Sequence, residues 1–186
     1  MLRKLKRLIR RMLMGGGRKQ TEMEYLISQG LRVGKNLRNH SEHAFDALLP
    51  WLITVGDNVV ISANVKILAH DVSTEYQNGA TKIGIVEIGD NVYIGYGATI
   101  MCNVRIGSDA VIGAGSVVTK DVPAGTVCAG NPARFICTVE EFRAKHVAAL
   151  EQVPVYRGPV TKWWGKTMEE KEAMRASLQD TFGYMK

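Results

Sequence analysis

The sequence predicts an all-β solenoid, a parallel β-helix of six-residue repeats, with helical flanks at both ends. Three observations carry that expectation. From residue 88 the chain reads IGDNVY-IGYGAT-IMCNVR-IGSDAV-IGAGSV-VTKDVP, with an aliphatic residue at every sixth place: Ile88, Ile94, Ile100, Ile106, Ile112 and Val118. An earlier block, VGDNVV-ISANVK-ILAHDV, keeps the same beat through Val55, Ile61 and Ile67. Glycine follows the aliphatic residue at Gly89, Gly95, Gly107 and Gly113.

Neither a helix, with an apolar period of about 3.6, nor a lone strand, with a period of about 2, repeats every six residues. Short fixed periods mark solenoids, in which each repeat is a strand plus a corner. The first residue of each hexad points inward. The fifth (Val92, Ala98, Val104, Ala110, Ser116) is small or branched and fits near a corner of a narrow interior. The pairs Asp90-Asn91 and Ser108-Asp109 suit turns. Three such strands make one triangular coil, and coils stack about 4.8 Å apart. VGKNLR, beginning at Val33, is the expected start of the first coil.

The flanks read differently. Residues 1–32 form a basic, helical N-terminal segment, residues 33–137 the β-helix, and residues 138–186 a C-terminal helical extension. In the run MLRKLKRLIRRML, residues 2–13 gather Leu2, Leu5, Leu8, Ile9, Met12 and Leu13 on one side of a helix and cations on the other. That pattern suits an anionic membrane surface. Thr138-Val139-Glu140-Glu141 has the spacing of a capping box, predicting a helix to about Glu151. The same spacing at Thr167-Met168-Glu169-Glu170 predicts a second helix to about Asp180. Tyr156, Trp163 and Trp164 lie between them and read as packing anchors.

Composition narrows the function. The formal net charge is +6, but residues 1–19 hold eight Lys/Arg and no acid. The remainder carries 16 basic against 18 acidic residues, which argues against a nucleic-acid-binding domain. Three cysteines, with no CxxC pair, point to a reduced cytoplasmic compartment. No apolar run approaches the roughly 20 residues that span a bilayer. His40, His43 and His146 make no repeat-spaced set with His70, so no metal is expected. GAGSVV lacks the third glycine of a dinucleotide fingerprint, which removes a Rossmann reading.

The stretch from about Val55 to Ile136 resembles the hexapeptide-repeat acyltransferases, whose fold is a left-handed parallel β-helix. Its ending, GAGSVVTKDVPAGTVCAGNPAR, is similar to those of galactoside, maltose, serine and polysaccharide O-acetyltransferases. The resemblance implies a homotrimer that moves an acetyl group from acetyl-CoA to a hydroxyl of a sugar or polysaccharide precursor. An N-acyltransferase acting on an amino-sugar nucleotide is the alternative within the enzymes. A non-catalytic β-helix scaffold is the alternative outside them.

The beat pauses between Ile67 and Ile88, and the segment at about 70–85 reads as an extruded loop. His70 stands at its mouth. In the similar enzymes a histidine there is the general base, and an imidazole suits that task near neutral pH. Asp71 or Glu75 is the candidate to orient it, although neighbours on a strand point to opposite faces. The same resemblance assigns Thr119, Lys120 and Arg134 to the nucleotide end of the donor, and Ala114 to its pantetheine arm. Tyr96 and Gly97 complete the donor set. Tyr96 departs from the small residue common at that position, and the N–H of Gly95 or Gly97 is the candidate oxyanion donor.

Overall fold

The computed structural model describes residues 21–186, and the basic stretch at 2–13 lies outside them. A short helix, α1 (Glu22–Ser28), leads in, with Thr21 and Glu24 forming a complete capping box. The chain then winds past three faces in turn.

The first face is the parallel sheet β1 (Arg32–Val33), β3 (Ile53–Val55), β8 (Val86–Ile88) and β11 (Val104–Ile106). The second stacks β2 (Arg38–Asn39), β4 (Val60–Ile61), β9 (Tyr93–Ile94), β12 (Val111–Ile112) and β14 (Thr126–Ala129), all parallel. The third holds β5 (Lys66–Ile67), β10 (Thr99–Ile100) and β13 (Val117–Val118). The register joins equivalent hexad positions: Val55, Ile88 and Ile106; Ile61, Ile94 and Ile112; Ile67, Ile100 and Val118.

These inward residues are buried, as are the fifth-position residues Val59, Val65, Val92, Ala98, Val104, Ala110 and Ser116. Two buried side chains per hexad, apolar except for Ser116, therefore fill the prism. The first coil is complete as well. Val33 pairs with Val55, Asn39 with Ile61, and Phe45 bridges to Ile67. At the turns, Asn36, Asn58, Asn91 and Asp109 adopt positive φ, and their side chains form a hydrogen-bonded ladder from coil to coil. Gly89 is required by the stacking, because a Cβ there would meet the Ser108 amide nitrogen at 2.6 Å.

β15 (Arg134–Thr138) turns back antiparallel on β14 and ends the second sheet. Beyond it, Thr138 caps α3 (Val139–Ala149) through both halves of the expected capping box. β16 (Val155–Tyr156) pairs with β17 (Tyr184–Met185) at the end of the chain. Between these strands lie α4 (Val160–Trp164) and α5 (Met168–Ser177), the latter with its own capping box at Thr167. Both long helices stop two or three residues before the expected ends. Tyr156 and Trp163 meet edge to face at 5.3 Å, whereas Trp164 is exposed.

Candidate functional site

The third face ends at Ile67, and three residues later the chain leaves the prism as β6 (His70–Asp71). It returns as β7 (Lys82–Ile83), antiparallel to β6. The extruded segment is thus a short hairpin, not a featureless loop. Its tip is a 3-10 turn (Val72–Thr74) followed by α2 (Glu75–Asn78), which Gly79 ends at φ 72°. The Thr74 hydroxyl straps the tip by donating to the Ala80 carbonyl at 2.6 Å and accepting from the Lys82 amide at 3.0 Å.

His70 is held from below. Its Nδ1 is hydrogen-bonded to Oδ2 of Asp46, whose side chain is 1% exposed against 23% for the histidine. Asp46 follows Phe45 on the first coil, and its amide donates to the Ile67 carbonyl at 2.9 Å. Its carboxylate also accepts from the Leu48 and Ala69 amides, each at 2.9 Å. Burial alone would push the Asp46 carboxyl up. The bonds from His70, Leu48 and Ala69 outweigh it and hold the group below its ordinary value of 3.8. An ionised carboxylate only accepts, so Nδ1 carries the proton, and in the neutral imidazole Nε2 keeps its lone pair.

Asp71 does not share this work. Its side chain caps the following 3-10 turn by accepting from the Ser73 amide at 2.9 Å, and bonding to Ser73 lowers its pKa. Glu75 accepts from the Thr81 hydroxyl at 3.1 Å. The strand alternation that turns Asp71 away from His70 is the physical reason. The orienting carboxylate is Asp46, which the sequence reading missed.

The donor-site candidates fall into two groups. Thr119 and Lys120 follow Val118 at the same edge of the third face as His70, two coils along and so about 10 Å distant along the axis. Lys120 and Arg134 line one cavity of about 270 Å³, together with Asp121, Pro123 and Phe135. Tyr96, Gly97 and Ala114 occupy the opposite edge, where the chain enters β10 and β13. Across a strand and its corners, roughly 20 Å separates the two edges. Ala114 lines a separate cleft of about 590 Å³, between the second face and α3.

Both expected oxyanion donors are already committed. Gly95 N–H donates to the Ile112 carbonyl at 2.8 Å, and Gly97 N–H to that of Ala63 at 3.0 Å. The Tyr96 N–H between them has no backbone acceptor among the described residues. The Tyr96 hydroxyl accepts from Asn64 Nδ2 at 2.5 Å. No group of three or more metal-ligating side chains occurs among the described residues.

Stacked coils of six-residue repeats define a class of protein. The model for bacterial transferase hexapeptide (six repeats) matches residues 85–120, and that for the hexapeptide repeat of succinyl-transferase matches residues 53–69. Protein CapG of Staphylococcus aureus is 38% identical over 121 residues, covering 62% of this chain and 70% of CapG. The chain belongs to the hexapeptide-repeat transferase family.

Galactoside O-acetyltransferase of Escherichia coli is 33% identical over 66% of this chain and 60% of its own length. YvoF of Bacillus subtilis is 46% identical over 54% of this chain, and the chain spans only 56% of YvoF. A solved galactoside acetyltransferase in complex with coenzyme A superposes with a TM-score of 0.53 at 35% identity, covering 60% of this chain and 56% of that one.

Proposed function

We infer that this protein is an acetyl-CoA-dependent O-acetyltransferase with a left-handed β-helix, acting on a hydroxyl of a sugar or polysaccharide precursor. The observation that carries the reading is the His70–Asp46 pair. A carboxylate fixed by two backbone amides sets the imidazole tautomer that leaves Nε2 free at the protein surface.

In this mechanism His70 Nε2 takes the proton of the acceptor hydroxyl as that oxygen bonds to the thioester carbonyl carbon. Asp46 favours the imidazolium so formed, as a buried carboxylate does for a catalytic histidine. The negative charge that develops on the carbonyl oxygen needs a donor, and the Tyr96 N–H is the candidate. As the carbon–sulfur bond breaks, His70 returns its proton to the departing thiolate. Lys120 and Arg134 suit the phosphates of the donor, lysine as a point charge and arginine as a fork.

His70 and Tyr96 stand at opposite edges of one face, so one chain does not assemble this constellation. A homotrimer, in which one protomer's His70 edge faces its neighbour's Tyr96 edge, completes it. No helix among the described residues is long and apolar enough to cross a membrane. The basic run at residues 2–13 supports a peripheral contact with an anionic membrane surface from the cytoplasmic side.

The test is His70→Ala with acetyl-CoA and methyl β-galactopyranoside, followed by thiol release and by mass of the sugar product. Loss of a general base lowers the rate by about 10²–10⁴. A variant that folds, binds CoA and turns over near the wild-type rate removes His70 from the mechanism. A wild type that transfers no acetyl group returns the protein to the scaffold reading.

A further inference from the structure

The hairpin that carries His70 also sets what lies beside it. In the β6–β7 ladder His70 is paired with Ile83, and Asp71 with Lys82. Gly84 N–H donates to the Ala69 carbonyl at 2.9 Å, which makes His70 and Ile83 a non-hydrogen-bonded pair. In such pairs the Cα atoms lie about 4.5 Å apart and the side chains stand closest, on one face of the ladder. The charged pair Asp71–Lys82 is turned to the other face.

β7 is held firmly in this place. A Cβ on Gly84 would meet Asn103 Cβ at 2.6 Å, so the strand rests directly on the next coil. The Thr74 strap fixes its other end. Yet Ile83 is 59% exposed and belongs to no core. Among the described residues no core cluster takes in this branched aliphatic, which stands exposed beside the histidine.

We propose that Ile83 is a specificity-determining residue: it contacts the carbon frame next to the acceptor's reacting hydroxyl and keeps water off His70 Nε2. This rests on His70 being the base. The contact fits the C–H surface of a pyranose ring. It offers no ion partner to an amino-acid acceptor, whose ammonium and carboxylate need charged groups near the reacting oxygen. Water is the competing nucleophile, and an apolar neighbour selects against it without slowing a bulkier alcohol.

The test compares wild type, Ile83→Ser and Ile83→Leu in the full chain. The probes are acetyl-CoA with methyl β-galactopyranoside, with free serine, and with buffer alone. Thiol release counts every acetyl group leaving CoA, and mass spectrometry counts acetylated product. Ile83→Ser is expected to raise the sugar KM about tenfold, a typical value for a lost apolar contact. It should also raise the share of thiol released without product, with the KM for acetyl-CoA within about twofold. Ile83→Leu should retain the wild-type partition. Melting curves monitor the fold.

His70-dependent transfer with an unchanged Ile83→Ser variant overturns this inference alone. Serine being acetylated faster than the sugar by the wild type overturns this inference together with the sugar acceptor of the underlying reading. Thiol release that does not depend on His70 overturns the underlying reading and this inference together.

Discussion

His70 on the second coil is hydrogen-bonded through Nδ1 to Asp46 on the first, and the carboxylate is otherwise satisfied by the amides of Leu48 and Ala69. Three donors converge on two oxygens. Asp46→Asn therefore turns an amide NH₂ toward at least one N–H, whichever way the side chain is flipped. Turnover should fall by roughly 10²-fold or more, because a neutral amide no longer stabilises the imidazolium. In the flip that turns NH₂ toward Nδ1, the imidazole also loses the acceptor that sets its tautomer. Stability should fall by about 1–3 kcal/mol, the cost of an unsatisfied buried donor. Steady-state kinetics and urea unfolding of the same preparation check both parts.

The same carboxylate gives a pH signature. Its folded pKa lies below the ordinary 3.8, so the unfolded chain binds the proton more readily. The stabilisation it contributes is then fully present above the unfolded value and is lost as pH falls through the folded one. The stability gap between wild type and Asp46→Asn should shrink as pH falls below the ordinary carboxylate value. Unfolding free energies of both proteins from pH 7 to pH 3 measure the gap. A gap that widens as pH falls from about 5 to 3 would mean that the folded pKa is raised.

The interior was legible from the hexad beat because every turn of the prism reuses one short rule. Asp46 was not, although its coil keeps the step of six at Val33, Asn39 and Phe45. Asn39 puts an amide where the rule wants an aliphatic, and that hides the third member. Asp46 also lies 24 residues before His70, so only the stacking of coils makes them neighbours. The oxyanion donors failed for a related reason. The acceptors for Gly95 and Gly97 come from Ile112 and Ala63, on other coils, and local sequence carries no sign of that pairing. The capping boxes at Thr138 and Thr167 were legible because both partners sit within four residues.

The asparagine ladder separates backbone strain from side-chain bonding. Asn91 sits at φ 57°, donates to Asp109 at 3.0 Å and accepts from Asn58 at 3.1 Å. Asn91→Ala loses both bonds and forces an ordinary side chain into the left-handed region, a strain of about 1–2 kcal/mol. Asn91→Gly loses the same bonds but relieves the strain. Denaturation midpoints should rank wild type, then the glycine variant, then the alanine variant. Equal loss in both variants would place the whole effect in the hydrogen bonds.

Lys120 and Arg134 share one cavity although 14 residues separate them, because β15 folds back along β14. Asp121 lies in the same cavity, but its Oδ1 already accepts from the Arg105 amide at 2.8 Å. A donor phosphate would thus meet two cations, with the nearby carboxylate partly engaged elsewhere. A charge-assisted bond of this kind is worth about 1.5–3 kcal/mol, or roughly tenfold to a hundredfold in affinity. Lys120→Ala and Arg134→Ala should each raise the KM for acetyl-CoA by about that factor. Turnover should change far less, since a phosphate remote from the reacting carbon is bound alike in ground and transition states. Acetyl-pantetheine, which lacks the nucleotide, supplies the control: its KM should be the same for wild type and both variants. A variant that impairs both donors equally would show that the cavity supports the fold and does not hold the nucleotide end of the donor.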